Sequence, residues 1–280
     1  MAHSIKVLAV IVTYNPDIML LRETVTHLSA HVDTILLYDN NSQNYRDIVN
    51  AQFPQNTILY PNQENKGLPA HYNAAILYGQ EKGFDYLLVL DQDSSLDDIF
   101  LTEYRKNISD DFICLVPLLV HNNESYNNFY PTKTKGETDP VQRSINSGML
   151  LNLKTLPAQL RFDEDLFIDC IDFDFFDKLR KFGFKVLRVN SAKLHVNLGS
   201  ISRFGPFFLY NYSPFRLGKQ TRDRVIFIRK HLFSFFALWL TAFTLFCNIK
   251  AVLFEKNRIE KLKAITKGFV QGITTRRTLS

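Results

Sequence analysis

The sequence predicts a layered α/β protein: a mostly parallel sheet with helices on both faces, then a helical tail. Two observations point to the first part and a third to the tail. From residue 6 to residue 91, continuous apolar runs of strand length alternate with helix-period segments in the order β-α-β-α-β-α-β. Such an order gives right-handed crossovers and a sheet covered on both faces. Three of those runs end abruptly in polar clusters, at 13–15, 39–42 and 91–94. Ligands of open α/β sheets bind beyond the carboxyl ends of the strands, so the three clusters are expected on one rim. After about residue 216 the chain turns basic and then strongly apolar.

In order, KVLAVIVT at 6–13 is the β-branched run of a strand buried on both sides, and Tyr14-Asn15-Pro16-Asp17 stops it. A helical pattern covers 18–31, a second strand 34–38, a short helix 45–52 and a third strand 57–60. Asn65-Lys66-Gly67-Leu68-Pro69 leads into a helix over about 70–82, which Gly83 terminates. The fourth strand ends in Asp91-Gln92-Asp93-Ser94. Residues 121–147, polar and rich in Asn, read as an exposed segment able to cover a site. A strand at 149–153, a helix over 166–182 closed by Gly183, and strands at 185–189 and 193–196 complete the body. The expected domains are a catalytic 1–215, its halves meeting near residue 95, and a membrane-associating 216–280.

Of 280 residues, 46 % are hydrophobic and 22 % charged, which suits a folded core and excludes disorder on a large scale. Cys114, Cys170 and Cys247 follow no metal spacing and make no disulfide framework. The N-terminus lacks a signal-peptide layout, so the expected location is cytoplasmic. The net charge of +5 is uneven: from Lys219 onward there are 13 Lys or Arg against three acids, leaving 20 basic and 25 acidic groups before it. A basic tail on a slightly acidic body suits an anionic surface. The body shows no nucleic-acid motif, so that surface is read as membrane. The uncharged run at 232–249 is short of the ~20 residues of a span, and basic residues flank it on both sides. A helix lying on the cytoplasmic leaflet fits best, with a buried helix of a soluble fold as the alternative.

Asp91 and Asp93 alternate onto one side of a strand end, where two acids repel unless a cation sits between them. Mg²⁺ or Mn²⁺ carrying substrate phosphates resolves this, because a hard cation takes one or two carboxylates and completes its shell with phosphate and water. For the segment alone, a polar strand end closed by a turn is the slightly better reading. There is no GxGxxG and no P-loop.

Together, Ile11-Val12-Thr13-Tyr14-Asn15, Tyr38-Asp39-Asn40-Asn41-Ser42, Asn65-Lys66-Gly67 with Asn73, and Asp91-Gln92-Asp93-Ser94 resemble the inverting family-2 glycosyltransferases of GT-A fold. Residues 167–174 and His195-Val196-Asn197-Leu198-Gly199 resemble the bacterial rhamnosyltransferase branch, and the resemblance covers about 6–230. It implies that Thr13, Tyr14, Asn15, Asp39 and Asn41 hold the nucleoside, with Asp39 accepting a pyrimidine N–H. Asn65, Lys66, Gly67, Asn73, Asp91 and Gln92 are implied along the nucleotide sugar, and Asp91, Asp93 and His195 at the metal. Against these stand plainer readings: Asp39 as a turn residue, residues 65–67 as a helix lead-in, and His195 as packed or exposed.

The resemblance also makes Asp172 the general base that deprotonates the acceptor hydroxyl. With Asp169 as helix N-cap, Asp172 would stand at N3, where the helix dipole favours its anion. The same pattern also stabilises a helix without catalysis, and Asp169 and Asp174 compete for the role. Where many relatives carry Glu-Asp, this chain has Ile171-Asp172, an Asp-x-x-Asp variant of the rhamnosyltransferase branch. Arg216, Arg222 and Arg224 stand where relatives keep a basic cluster near donor phosphates or membrane; a solvated linker explains them equally well. The implied activity is metal-dependent inverting transfer, with dTDP-L-rhamnose as the expected donor and a lipid-linked saccharide at the inner membrane as acceptor, in O-antigen or capsule synthesis. The rivals are another UDP- or dTDP-hexose donor and a non-catalytic nucleotide-binding scaffold.

Overall fold

The structure is a computed structural model describing residues 5–109, 112–121, 124–125, 133–196, 202–204, 207–232 and 234–275. Parts of the 121–147 segment and positions 197–199 of the histidine motif lie outside the described residues. The chain divides into two compact units: residues 1–162 with 175–197, and residues 163–174 with 198–280.

The first unit opens with β1 (Val7–Thr13), buried at every position because both faces of the strand are covered. Helix α1 (Ile18–Ser29) starts where Asp17 accepts the amides of Met19 and Leu20, satisfying two of the orphan donors of its first turn. Then come β2 (Thr34–Asp39), α2 (Tyr45–Asn50), β3 (Thr57–Pro61), α3 (Leu68–Glu81) and β4 (Tyr86–Asp91). Gly83, at φ 71°, ends α3: the Phe84 amide reaches back to the Gly79 carbonyl, as the left-handed C′ position requires. Next come β5 (Ser95–Leu96), α4 (Phe100–Lys106), β6 (Cys114–His121), β7 (Glu124–Ser125), β8 (Thr138–Val141) and β9 (Leu150–Asn152).

Helix α5 (Ile171–Lys181) follows, and β10 (Val186–His195) completes the sheet. Its order is β3-β2-β1-β4-β9-β6-β10-β5. Strands β3, β2, β1 and β4 are parallel, as are β6 and β10, and β9 runs antiparallel between the two sets. The two strands expected at 185–189 and 193–196 are one, with a register shift between Val189 and Lys193 that accommodates the polar Asn190-Ser191. Alternate residues of β1, β2 and β4 supply the core on the α1 and α4 side, through Ile11, Leu37 and Leu90 among others.

The second unit holds the segment 163–174, the hairpin β11 (Ser202–Phe204) and β12 (Phe207–Leu209), and helices α6 (Pro214–Lys230), α7 (Phe235–Phe254) and α8 (Arg258–Thr274). Glycines bring α6 and α8 together: a Cβ on Gly218 would come 2.9 Å from the Ala264 carbonyl oxygen, and one on Gly272 2.8 Å from that of Arg222. Arg229 donates to the carbonyls of Gly272 and Thr275, satisfying orphan acceptors at the end of α8.

Candidate active site

Strand register assembles the first unit's site. Thr13 pairs with Asp39 and Val12 with Asp91, so the ends of β2, β1 and β4 stand level. The chain runs from β1 outward to β3 on one side and returns to β4 on the other, so this edge is a topological switch point. Asp39 is buried, and its two oxygens are oriented: the Thr13 hydroxyl donates to Oδ1 at 3.2 Å and the Ser42 amide to Oδ2 at 3.0 Å. A carboxylate fixed in this way retains lone pairs for a further donor.

Asn40, next to it, is a hub that sequence reasoning missed. Its Nδ2 donates to Asn65 Oδ1 at 2.7 Å, while its Oδ1 accepts the Lys66 amide and meets His71 Nε2 at 3.0 Å. Those bonds hold the 65–67 turn against β2, with Gly67 at φ 80°, where a side chain would be strained. His71 also stacks on Tyr38, which stacks on Tyr60. Only the adjacency of Asn40 to Asp39 could have signalled the hub. Asn15 and Asn41, both at positive φ, make the sharp turns after β1 and β2. Asn15 Oδ1 accepts the Gln43 amide and its own amide reaches Ser42 Oγ, joining the two loops. Gln92 Oε1 accepts the Tyr14 amide at 2.8 Å, joining the β4 loop to the β1 loop.

The Asp91–Ser94 loop is preformed. The Asp91 amide donates to Ser94 Oγ and Ser147 Oγ, both at 3.1 Å, and those hydroxyls meet at 2.7 Å. Asp91 and Asp93 are exposed. His195 pairs with Ser95 across the β5–β10 ladder, two residues beyond Asp93, and its Nε2 lies 2.8 Å from Asp97 Oδ1. Among the described residues no group of three His, Cys, Asp or Glu forms a metal cage. Two exposed carboxylates on a rigid loop nevertheless fit a hard cation whose remaining ligands come from phosphates and water. Two of the expected site residues, Asn73 of the nucleotide-sugar set and His195 of the metal set, are bonded within the protein. Asn73 is buried on α3, its amide exchanging bonds with the backbone of Phe162 at 2.8 and 3.0 Å, so its geometry is that of a structural clamp. His195 spends a ring nitrogen on Asp97.

In the second unit, α5 begins at Ile171, five residues later than the apolar period predicts. Cys170, at φ 60°, occupies the cap position; its carbonyl accepts the Asp174 amide. Asp172 therefore stands second in the helix rather than third, still within the first turn where the dipole favours a carboxylate. The late start has a cause in α6. Asp223, fully buried, accepts the amides of Phe167, Ile168 and Asp169 on one oxygen at 2.7–3.0 Å, which ties that backbone into a nest instead of a helix. Burial pushes the Asp223 carboxyl up to about 6, against the opposing pull of those amides and of Arg222, which bonds its other oxygen at 2.7 Å.

The competitors for the role of base are engaged. Arg224 binds Asp169 through Nε and Nη2 at 3.0 and 2.9 Å, and Lys230 bridges Asp163 and Asp174. Arg222 is likewise spent on Asp223, and Arg216 lies over the Tyr212 ring. Of this framework, sequence reasoning missed Asp223 and Lys230. An acid inside the basic run Arg222-Asp223-Arg224 was the available signal.

The sequence matches glycosyl transferase family 2 over residues 8–173, more than half of the chain. The chain belongs to glycosyltransferase family 2. Among its relatives is the dTDP-rhamnosyl transferase RfbF of Shigella flexneri, 24 % identical over 283 residues, covering 95 % of this chain and 94 % of that one. The fold is similar to residues 1–349 of TarS from S. aureus, with a TM-score of 0.51 and 14 % identity across 96 % of this chain and 81 % of that structure. The α/β architecture with its largely parallel sheet is that of the family, and the C-terminal apolar helix is present.

Proposed function

We propose that this family-2 glycosyltransferase moves L-rhamnose from dTDP-L-rhamnose, with inversion, to a lipid-linked saccharide in the synthesis of a bacterial surface polysaccharide such as O-antigen or capsule. The observation that carries the donor side is the level edge of β2, β1 and β4, where oriented Asp39 adjoins Thr13 and the rigid Asp91–Ser94 loop. Similarity to RfbF along nearly the whole chain supports rhamnose in particular.

In this reading the Asp39 carboxylate, held by Thr13 and Ser42, accepts the pyrimidine N–H and sets the base. The 65–67 turn, fixed by Asn40, lays backbone amides and a small residue along the nucleotide. Asp91 and Asp93 would hold Mg²⁺ or Mn²⁺, which when bound offsets the negative charge of the departing diphosphate. Asp172 takes the proton of the acceptor hydroxyl as that oxygen bonds the anomeric carbon and the bond to the diphosphate oxygen breaks. A single displacement of this kind inverts the anomeric centre. The protein works at the cytoplasmic face of the inner membrane, held there peripherally by its C-terminal region.

The test is a panel of nucleotide sugars, with release of sugar and linkage of product measured. Turnover of dTDP-L-rhamnose above all others is expected; turnover confined to a UDP- or other dTDP-hexose overturns the donor. Chelator should abolish transfer, and Asp91→Ala or Asp93→Ala should remove the divalent-cation dependence of donor binding. Full activity in excess chelator refutes the metal.

A further inference from the structure

Twelve of the twenty large hydrophobic residues exposed among the described residues lie on α7 and α8, 37 of the 280 positions. They are not scattered. On α7, Phe235, Leu238, Leu245, Phe246, Ile249 and Leu253 recur at helical spacing within about 100° of arc, the width of one helix face. On α8, Ile259, Leu262, Phe269, Val270 and Ile273 do the same. The α8 stripe has a different use from that helix's packed side, where Ala264, Gly268 and Gly272 meet α6. All eleven are 48–89 % exposed, so neither stripe is covered by the described residues.

The surroundings say what covers them. Lys256, Arg258, Lys263 and Lys267 are exposed beside the α8 stripe, against the single exposed acid Glu260, because Glu255 and Lys261 neutralise each other in a buried pair. Apolar stripes edged with cations match the acyl–headgroup boundary of an anionic leaflet. Helix α7, with 20 residues, is long enough to span a bilayer. It cannot span alone, however, since its other face is packed: Ala237, Leu240 and Ala251 are buried, and Asn248 bonds Thr221 of α6. A crossing would take α6 along, and α6 carries Arg216, Lys219, Arg222, Asp223, Arg224, Arg229 and Lys230 in 17 residues. Charges of that number are excluded from hydrocarbon.

We propose that α7 and α8 form a two-helix platform that docks in the plane of an anionic lipid bilayer, neither stripe crossing it. This deepens the membrane association above and assigns α8, which sequence reasoning passed over, a share equal to that of α7. The experiment uses the purified full chain and vesicles of phosphatidylcholine with or without phosphatidylglycerol. Sedimentation with the anionic vesicles, weakened by salt and released by alkaline carbonate, is the expected result. Leu262→Ser with Phe269→Ser, and separately Lys263→Glu with Lys267→Glu, should each lower the partition coefficient at least about tenfold with the thermal midpoint unchanged. Retention after carbonate would make α7 a span and overturn the proposal. So would unaltered binding of both variants, absence of binding to either vesicle, or a concentration-dependent oligomer that Phe269→Ser dissolves. Binding is read without any sugar donor, so this result and the donor assignment fail separately.

Discussion

Asp172 is the base in the proposed reading, and Asp223 holds the backbone of 167–169 just before it. Asp172→Asn keeps the shape and loses the base, so transfer should fall by about 10²–10⁴ while donor affinity by calorimetry stays within a factor of two or so. Unchanged turnover would move the role to another acid. Asp223 gives a test by pH. Its folded value of about 6 lies above the ordinary 3.8, so the folded chain binds the proton more tightly than the unfolded one. The stabilisation from this group is therefore complete below about pH 4 and is lost as pH rises through 6, a change of about 3 kcal/mol. Lys219 and Arg222 face it from α6 and the amides of 167–169 from the opposite side. Asp223→Asn, neutral throughout, should gain stability relative to the parent between pH 4 and 7 in chemical denaturation. Parallel curves for the two proteins would show that another group titrates.

At the scale of elements, the strands and their polar ends were legible because a doubly covered strand must be apolar along its length and must stop where it meets solvent. β1 and β2 lie within a residue of their expected bounds, and β4 ends at Asp91 as expected. The start of α5 was not legible: Leu166 and Phe167 continue its apolar period, and only the buried carboxylate of Asp223, more than fifty residues away, draws their backbone out of the helix. The join in β10 was hidden for a similar reason, since Asn190 and Ser191 look like a turn and are instead carried by hydrogen bonds to Asp139 and Glu103. The α6–α8 contact makes its own prediction. A Cβ at Gly268 would meet the Gly218 carbonyl, which is backbone and cannot swing aside, so Gly268→Val should cost about 1–3 kcal/mol or more and open α8 to limited proteolysis. Unaltered stability and cleavage would mean that the helices are not in close contact in solution.

At the scale of the molecule, the protein is proposed to do two things: transfer a sugar from a nucleotide donor, and dock its basic, apolar C-terminal helices on a bilayer. Removing 231–280 to test the second would also strip α6 of its partners, because Gly268 and Gly272 pack directly on it. A truncated chain should therefore lose thermal stability as well as membrane attachment, which fractionation and scanning calorimetry on the same sample would show together. An unchanged unfolding profile would make the tail an appendage.

The amino-acid sequence alone determined the α/β order, the shared rim of polar strand ends, the Asp91–Asp93 pair and the basic apolar tail. Each is written in local pattern: the period of burial, the residue at which it stops, and the run of charge. Tertiary structure alone decided that Asn40 fixes the 65–67 turn while Asn73 bonds the backbone of Phe162, that Asp169 and Asp174 are counter-ions of Arg224 and Lys230, and that α8 exposes an apolar stripe as α7 does. Those outcomes depend on which distant group desolvates or neutralises a side chain, and residue spacing along the chain carries no record of that.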